Sequence, residues 1–196
     1  MQNIARKSTM ERVPPLIGHH GTNAANVKSI FENNFTLSTR PDLWCGPAVY
    51  FFTEGIGDPV VAALDWAIRE AWSKETKRHR YTRCAVIRAD ITPAKLFDAT
   101  SDDGLRAVDY ARKELAKKGA LKRNNLADEQ IIQLLVAQMK IDVVVLRLYI
   151  SSGEERKLNI RSRMPNVRVV CVLDPSALNP STFQVVHEES IETHDI

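Results

Sequence analysis

Three short stretches hold side chains whose types and spacing could do chemistry. Ile17-Gly18-His19-His20-Gly21-Thr22 reads as the junction of a strand with a helix. Unpaired N–H groups at the helix entrance, a glycine that lets a ligand approach the backbone at Gly21, and an imidazole that donates or accepts at His20 would lie together there. The plainer reading of the same residues makes Thr22 an N-cap and both histidines surface polar groups. Trp44-Cys45-Gly46-Pro47-Ala48-Val49-Tyr50-Phe51-Phe52 is a glycine turn running into an aromatic strand. Period-2 alternation puts Tyr50 and Phe52 on one side and Val49 and Phe51 on the other, a pattern that serves a core as readily as a ligand. In the third stretch Val60, Val61, Leu64, Ala67, Ile68, Ala71 and Trp72 form one helical stripe, which predicts the core face. Trp66 lies about 200° from Leu64 at about 100° per residue, beside Ala62, Arg69 and Ser73. An indole on that polar side needs a cover, either a neighbouring loop or a planar ligand.

The elements that must position these groups follow from periodicity and punctuation. A strand is predicted over 13–19, then a helix capped by Thr22 or Asn23 with Val27, Ile30 and Phe31 on one face. The β-branched and aromatic run 49–52 predicts a strand, and Asp58-Pro59 gives a cap and a first-turn proline for a helix reaching about Ser73. Strands are expected over 84–91 and 142–150, the second nearly continuous in apolar residues and so expected at the centre of a sheet. Between them lie two helices. One starts at Asp102-Asp103, carries Leu105, Val108, Ala111 and Leu115 and stops at Gly119; the other carries Ile131, Leu134, Leu135 and Met139. Two further strands follow, over 167–173 and 183–187. Strands and helices do not alternate regularly, which predicts the α+β class rather than a doubly wound sheet.

With 196 residues, 44% hydrophobic and 26% charged, the chain fits a single domain over 1–196, with loose tails at about 1–12 and 189–196. A formal charge of +3 does not by itself point to nucleic acid. No stretch is apolar enough to span a bilayer and no secretory h-region is present, which predicts a cytoplasmic protein with no membrane partner. Cys45, Cys84 and Cys171 lack metal-ligand or disulfide spacing, so no metal is expected. The run from Lys74 to Arg83 gathers five Lys and Arg with His79 and Tyr81, either as a phosphate or RNA contact or as a solvated loop. Arg112, Lys113, Lys117, Lys118, Lys122 and Arg123 read as an ordinary charged helix face and loop.

His20-Gly21-Thr22, then Gly46-x-x-Val49-Tyr50-Phe51, then a helix with an aromatic sixteen residues after the tyrosine, resembles the PARP-like, H-Y-E class of ADP-ribosyltransferases over residues 17–72. Asp42-Leu43-Trp44-Cys45-Gly46-Pro47-Ala48-Val49-Tyr50-Phe51-Phe52 and Asp65-Trp66-Ala67 look like a bacterial branch with the patterns D-W-L-G-x-G-[IV]-Y-F-[FW] and E-W-A. In this chain Cys45 replaces the leucine and Pro47-Ala48 the x-G pair. The resemblance implies two packed, mostly antiparallel sheets with flanking helices. It also implies NAD as substrate and transfer to a macromolecular acceptor, protein or nucleic acid, by a toxin, effector or defence protein. In that family the histidine bonds the adenosine-side ribose, the glycine backbone holds the carboxamide and aromatics sandwich the nicotinamide. By position these roles fall on His20, Gly21, Tyr50 and Trp66, with Thr22 in the Ser/Thr place after the glycine.

The family's third element is an acid or Gln near the start of a late strand, bonded to the ribose 2′-OH. Aligned on Cys171-Val172, that place holds Val169, and the neighbouring Arg168 is a cation beside a developing cation. Three substitutes stay open: Glu154 or Glu155 reaching back from their Ser/Gly loop, Gln184 on the last strand, or no acid at all. The alternatives to an enzyme are a non-catalytic NAD or ADP-ribose binding module of the same fold and an RNA-binding domain using the run from Lys74 to Arg83.

Overall fold

The structure, a computed structural model, describes residues 14–40, 43–117 and 127–191. The readings of residues 1–12, Asp42, Lys118, Gly119, Lys122 and Arg123 lie outside the described residues. The chain is of mixed α+β class. Its frame is one sheet of seven strands: β1 (Leu16–Asn23), β2 (Val49–Thr53), β5 (Arg83–Ile91), β6 (Leu96–Asp98), β7 (Val143–Leu148), β8 (Val167–Val172) and β9 (Gln184–Ser190). They run in the order β6-β7-β8-β2-β1-β5-β9, and every neighbouring pair is antiparallel except β6 and β7. The remaining strands, β3 (Trp72–Ser73) and β4 (Arg78–His79), form a separate two-stranded ribbon. The expected second sheet is therefore only this ribbon, because the late strands extend the main sheet instead of stacking on it.

Among the described residues five helices flank the sheet: α1 (Val27–Asn33), α2 (Pro59–Ala71), α3 (Asp102–Lys117), α4 (Asp128–Met139) and the one-turn α5 (Gly153–Lys157). Asp58 opens α2, its carboxylate accepting the N–H groups of Val60 at 2.8 Å and Val61 at 3.3 Å ahead of a first-turn proline. The two faces of the sheet carry two cores. Phe52, Val86, Val144 and Val169 pack under α2, α3 and α4, while Val49, Phe51, Ile87 and Val145 pack with Phe35 and Phe183 beneath α1. β7 contributes Val143 and Val145 to one core and Val144 and Leu146 to the other, which is why it reads as a continuous apolar run. Contrary to expectation it is not central but second from the edge, shielded by β6 and the helices.

Three other expectations are corrected. β1 does not end at His19. Its ladder with β5 continues through Thr22 opposite Ala85 and Asn23 opposite Cys84, so His20-Gly21-Thr22 is strand and not a helix entrance. Asn23 still caps, through Oδ1 and the Ala25 N–H at 3.1 Å, but it caps a 3₁₀ turn over Ala24–Asn26 that leads into α1. Residues 189–191 are not part of a loose tail, since β9 runs to Ser190 and the Ile191 N–H donates to the Thr82 carbonyl at 2.8 Å, and the rest of the expected tail, 192–196, lies outside the described residues. On α2 the fully buried face is Ala63, Ala67 and Ala71, while Val61 is 56% exposed. The reason is Gly21: a side chain there would meet the Ala63 carbonyl oxygen at 1.8 Å, so helix and strand touch backbone to backbone. The larger apolar residues are left to the flanks.

Candidate functional site

β1 and β2 share a single pair, His19 with Phe52, and then splay apart. His20 fills the fork. Its Nδ1 lies 2.9 Å from the Tyr50 carbonyl oxygen, and its ring meets Phe35 edge-on at 5.0 Å and Phe51 at 5.6 Å. A carbonyl can only accept, so Nδ1 carries the proton and Nε2 keeps its lone pair. Burial among these rings lowers the imidazole pKa below its ordinary range, outweighing the Tyr50 bond, which acts in the opposite sense. The group is thus a neutral acceptor held in one orientation.

The fork opens into a cleft of about 520 Å³, within the range of small-ligand sites. Its lining combines polar groups, among them Thr22, Asn26, Ser38 and Arg40, with apolar ones, among them Tyr50, Phe52, Trp66, Leu148, Ile150 and Val169. Tyr50 sits on the Phe52 face of β2, as alternation predicts. Its hydroxyl donates to the Gly46 carbonyl at 2.9 Å and accepts the Cys45 N–H at 3.1 Å, which ties it to the turn that Gly46 makes at φ +74°. What Tyr50 offers the cleft is therefore chiefly its ring, the hydroxyl being engaged by the turn.

Trp66 lines the same cleft from α2, half-buried, 6.5 Å from the Phe52 ring and with the Arg69 guanidinium over its ring at 5.1 Å. The cover that the sequence demanded for this indole is supplied by its own chain, and the ring still lines the cleft. Gly21 lines the cleft as well, but the space a side chain would take is filled by α2 rather than held open for a ligand.

Val169 is 2% exposed, pairs with Phe52 across β2 and β8, and lines the cleft. Arg168 points to the opposite face, 3.3 Å from Asp98. Glu155 is spent in a reciprocal cap with Ser152: its carboxylate accepts the Ser152 N–H at 2.8 Å while the Ser152 hydroxyl accepts the Glu155 N–H at 3.2 Å. That backbone bond holds its carboxyl below the usual range. Glu154 is solvent-exposed on the same short helix, and Gln184 is exposed on β9 opposite Arg88, two strands beyond β1. None of the three lines the cleft.

Trp44, which opens the second stretch singled out from the sequence, lines the cleft too, and sequence reasoning missed Tyr149, Arg40 and Glu70, which also line it. Glu70 is the one carboxylate among the described residues that does so, and its partner is Arg40, Nη1 to Oε2 at 2.7 Å. Their separation of thirty residues leaves no periodic signal.

The basic run partly folds back on the protein. Arg80 donates to the Glu70 carbonyl, Arg83 pairs with Glu188 at 2.8 Å, Trp72 stacks edge-on with His79 at 5.3 Å, and the Tyr81 hydroxyl donates to the Ala67 carbonyl at 2.6 Å. Lys74, Lys77 and Arg78 stay exposed on the ribbon. Among the described residues no three His, Cys, Asp or Glu side chains gather as a metal site would require, and no helix is long and apolar enough to cross a membrane. In comparisons with known proteins the chain matches no protein-family model and no curated sequence, so its functional reading rests on its own residues.

Proposed function

We propose that the chain is an NAD-dependent mono-ADP-ribosyltransferase acting on a macromolecular acceptor, protein or nucleic acid. The observation that carries this reading is the His20 Nδ1 bond to the Tyr50 carbonyl at the splayed strands, which sets a neutral imidazole acceptor in a cleft lined by aromatic rings. A planar cation stacked on the Tyr50 or Trp66 ring, both of which line the cleft, gains about 1–2 kcal/mol once desolvated. The His20 Nε2 lone pair can accept from a ribose hydroxyl. Gripping ring and ribose at two fixed points holds the bond between nicotinamide and ribose in a geometry that favours an oxocarbenium-like transition state. As that bond breaks its electron pair leaves with nicotinamide, and the acceptor's nucleophile takes the vacated carbon.

One observation favours a second reading. The cleft is lined by apolar Val169, 2% exposed, at the sequence position where the resemblance expects an acid or Gln, which fits a module that binds NAD or ADP-ribose without turning it over. Incubation with NAD labelled in the adenylate separates the readings. Label on a co-incubated protein or RNA supports transfer, and binding with neither transfer nor hydrolysis supports the module. Retention of RNA through the run from Lys74 to Arg83 with no NAD binding would leave only the RNA-binding alternative. Trp66 gives a direct readout of the site: nicotinamide should quench its fluorescence, and Trp66→Ala should weaken nicotinamide binding.

A further inference from the structure

A smaller pocket of about 160 Å³ adjoins the cleft, and Phe52, Trp66, Arg69, Ile150 and Ser151 line both. That volume admits one side-chain head group or a small ring. Among the described residues two carboxylates line the smaller pocket and not the cleft. Asp58 is committed to the start of α2, where it accepts the N–H groups of Val60 and Val61. Asp65, half-buried and one residue before Trp66 on that helix, makes no hydrogen bond or ion pair among the described residues. Neither guanidinium in the pocket closes on it: Arg156 Nη1 donates to the Ser151 carbonyl at 2.6 Å, and Arg69 lies over the Trp66 ring. Burial raises the Asp65 pKa above its ordinary range; Arg156 opposes the rise, and Glu154 and Glu155 add to it. A half-buried carboxylate whose lone pairs the fold leaves unused can take a proton from a ligand.

Transfer needs such a second opening, because the acceptor must arrive while NAD occupies the cleft. Resting on the transferase reading, we infer that this pocket is the acceptor subsite and that Asp65 takes the proton of the acceptor's nucleophilic O–H or N–H group. That proton passes to the Asp65 carboxylate, and the nucleophile's lone pair forms the bond to the ribose carbon. The electron pair of the breaking carbon–nitrogen bond leaves with nicotinamide, which departs neutral. Water in the pocket is activated in the same way and gives NAD hydrolysis. A substrate class follows: the acceptor presents a hydroxyl or N–H group, since a carboxylate has no proton to give up and meets Asp65 as a like charge.

The test incubates wild type, Asp65→Asn and Asp65→Glu with adenylate-labelled NAD in water alone, with methanol and with azide, and resolves ADP-ribose from its methyl and azido derivatives. Asp65→Asn should slow hydrolysis and methanolysis about a hundredfold. Attack by azide should be equal or faster in that variant, because azide has no proton to lose and no longer meets a negative charge. Asp65→Glu, which keeps the base, should recover part of the hydrolysis. Asp65→Asn should keep the wild-type Tm and the wild-type nicotinamide affinity, since it breaks no bond of the fold. Unchanged methanolysis in Asp65→Asn overturns the inference, and so does an equal loss toward azide, which would make Asp65 a structural residue. A wild type that binds nicotinamide but is inert toward all three nucleophiles would instead overturn the transferase reading itself, and the subsite with it.

Discussion

The His20 imidazole takes over from the backbone ladder that β1 and β2 abandon beyond the His19 and Phe52 pair, bonding the Tyr50 carbonyl at 2.9 Å where a strand N–H would otherwise do so. One side chain thereby keeps the sheet continuous at its base and open above. His20 thus both fixes the fork and lines the cleft it opens.

His20→Ala and Tyr50→Ala should each abolish NAD-dependent activity, by separate routes. The first removes the acceptor and the bond that sets the fork, the second the ring face and the anchor of the Gly46 turn. Each should cost about 1–3 kcal/mol in ligand binding. Tyr50→Phe is the control: it keeps the ring and loses the hydroxyl, with its bonds to Cys45 and Gly46, so it should bind nicotinamide far better than Tyr50→Ala. Wild-type turnover in His20→Ala would remove this residue from the site.

Gly21→Ala should lose stability rather than activity alone. The new methyl would meet a helix carbonyl at 1.8 Å with Ala67 at 3.1 Å beside it, so α2 would have to move off the sheet. A cost of about 3 kcal/mol is expected, readable as a lower urea midpoint. A midpoint equal to wild type, with ligand binding lost, would show that Gly21 serves the ligand and not the helix.

The histidines set a pH dependence with a definite sign. Burial lowers the pKa of His20, and of His19 beside it, below the unfolded 6.5. Between that value and the lower folded one, the unfolded chain binds more protons than the native one, so stability rises with pH in this window. The contribution is full above about pH 6.5 and is lost as the pH falls through the folded value. Melting curves from pH 7.5 to 5 should show this decline in wild type and a shallower one in His20→Gln. Ligand affinity, by contrast, should stay flat across pH 6.5 because His20 remains neutral there.

Val169→Gln places a hydrogen-bonding group where the cleft has an apolar wall. Burying an amide with incomplete partners should cost about 1–3 kcal/mol of stability. If the missing ribose contact is what limits turnover, the variant should raise kcat with little change in KM. Unchanged kcat in a folded variant would show that the chemistry does not wait on that position.

Local chemistry, legible in the chain itself, determined the elements and the faces they show. Asp58-Pro59 starts α2, the alternation of Val49 to Phe52 sorts two faces of β2, and the run from Val143 to Leu146 can only be a strand buried on both sides. Those signals lie within a few residues, where propensity and period act directly. The fate of His20-Gly21-Thr22 was decided elsewhere. Its capping residues suit a helix entrance, but β5 offers a full ladder through Asn23, and pairing across sixty residues outweighs a local preference. Tertiary contact likewise chose alanines over valines for the buried face of α2, because only a bare glycine opposite lets the two backbones touch. It also spent Glu155 on a cap, set Gln184 two strands away, and brought Arg40 to Glu70 across the cleft. Partners so far apart in the chain leave no periodic trace, so only the folded arrangement could bring them together.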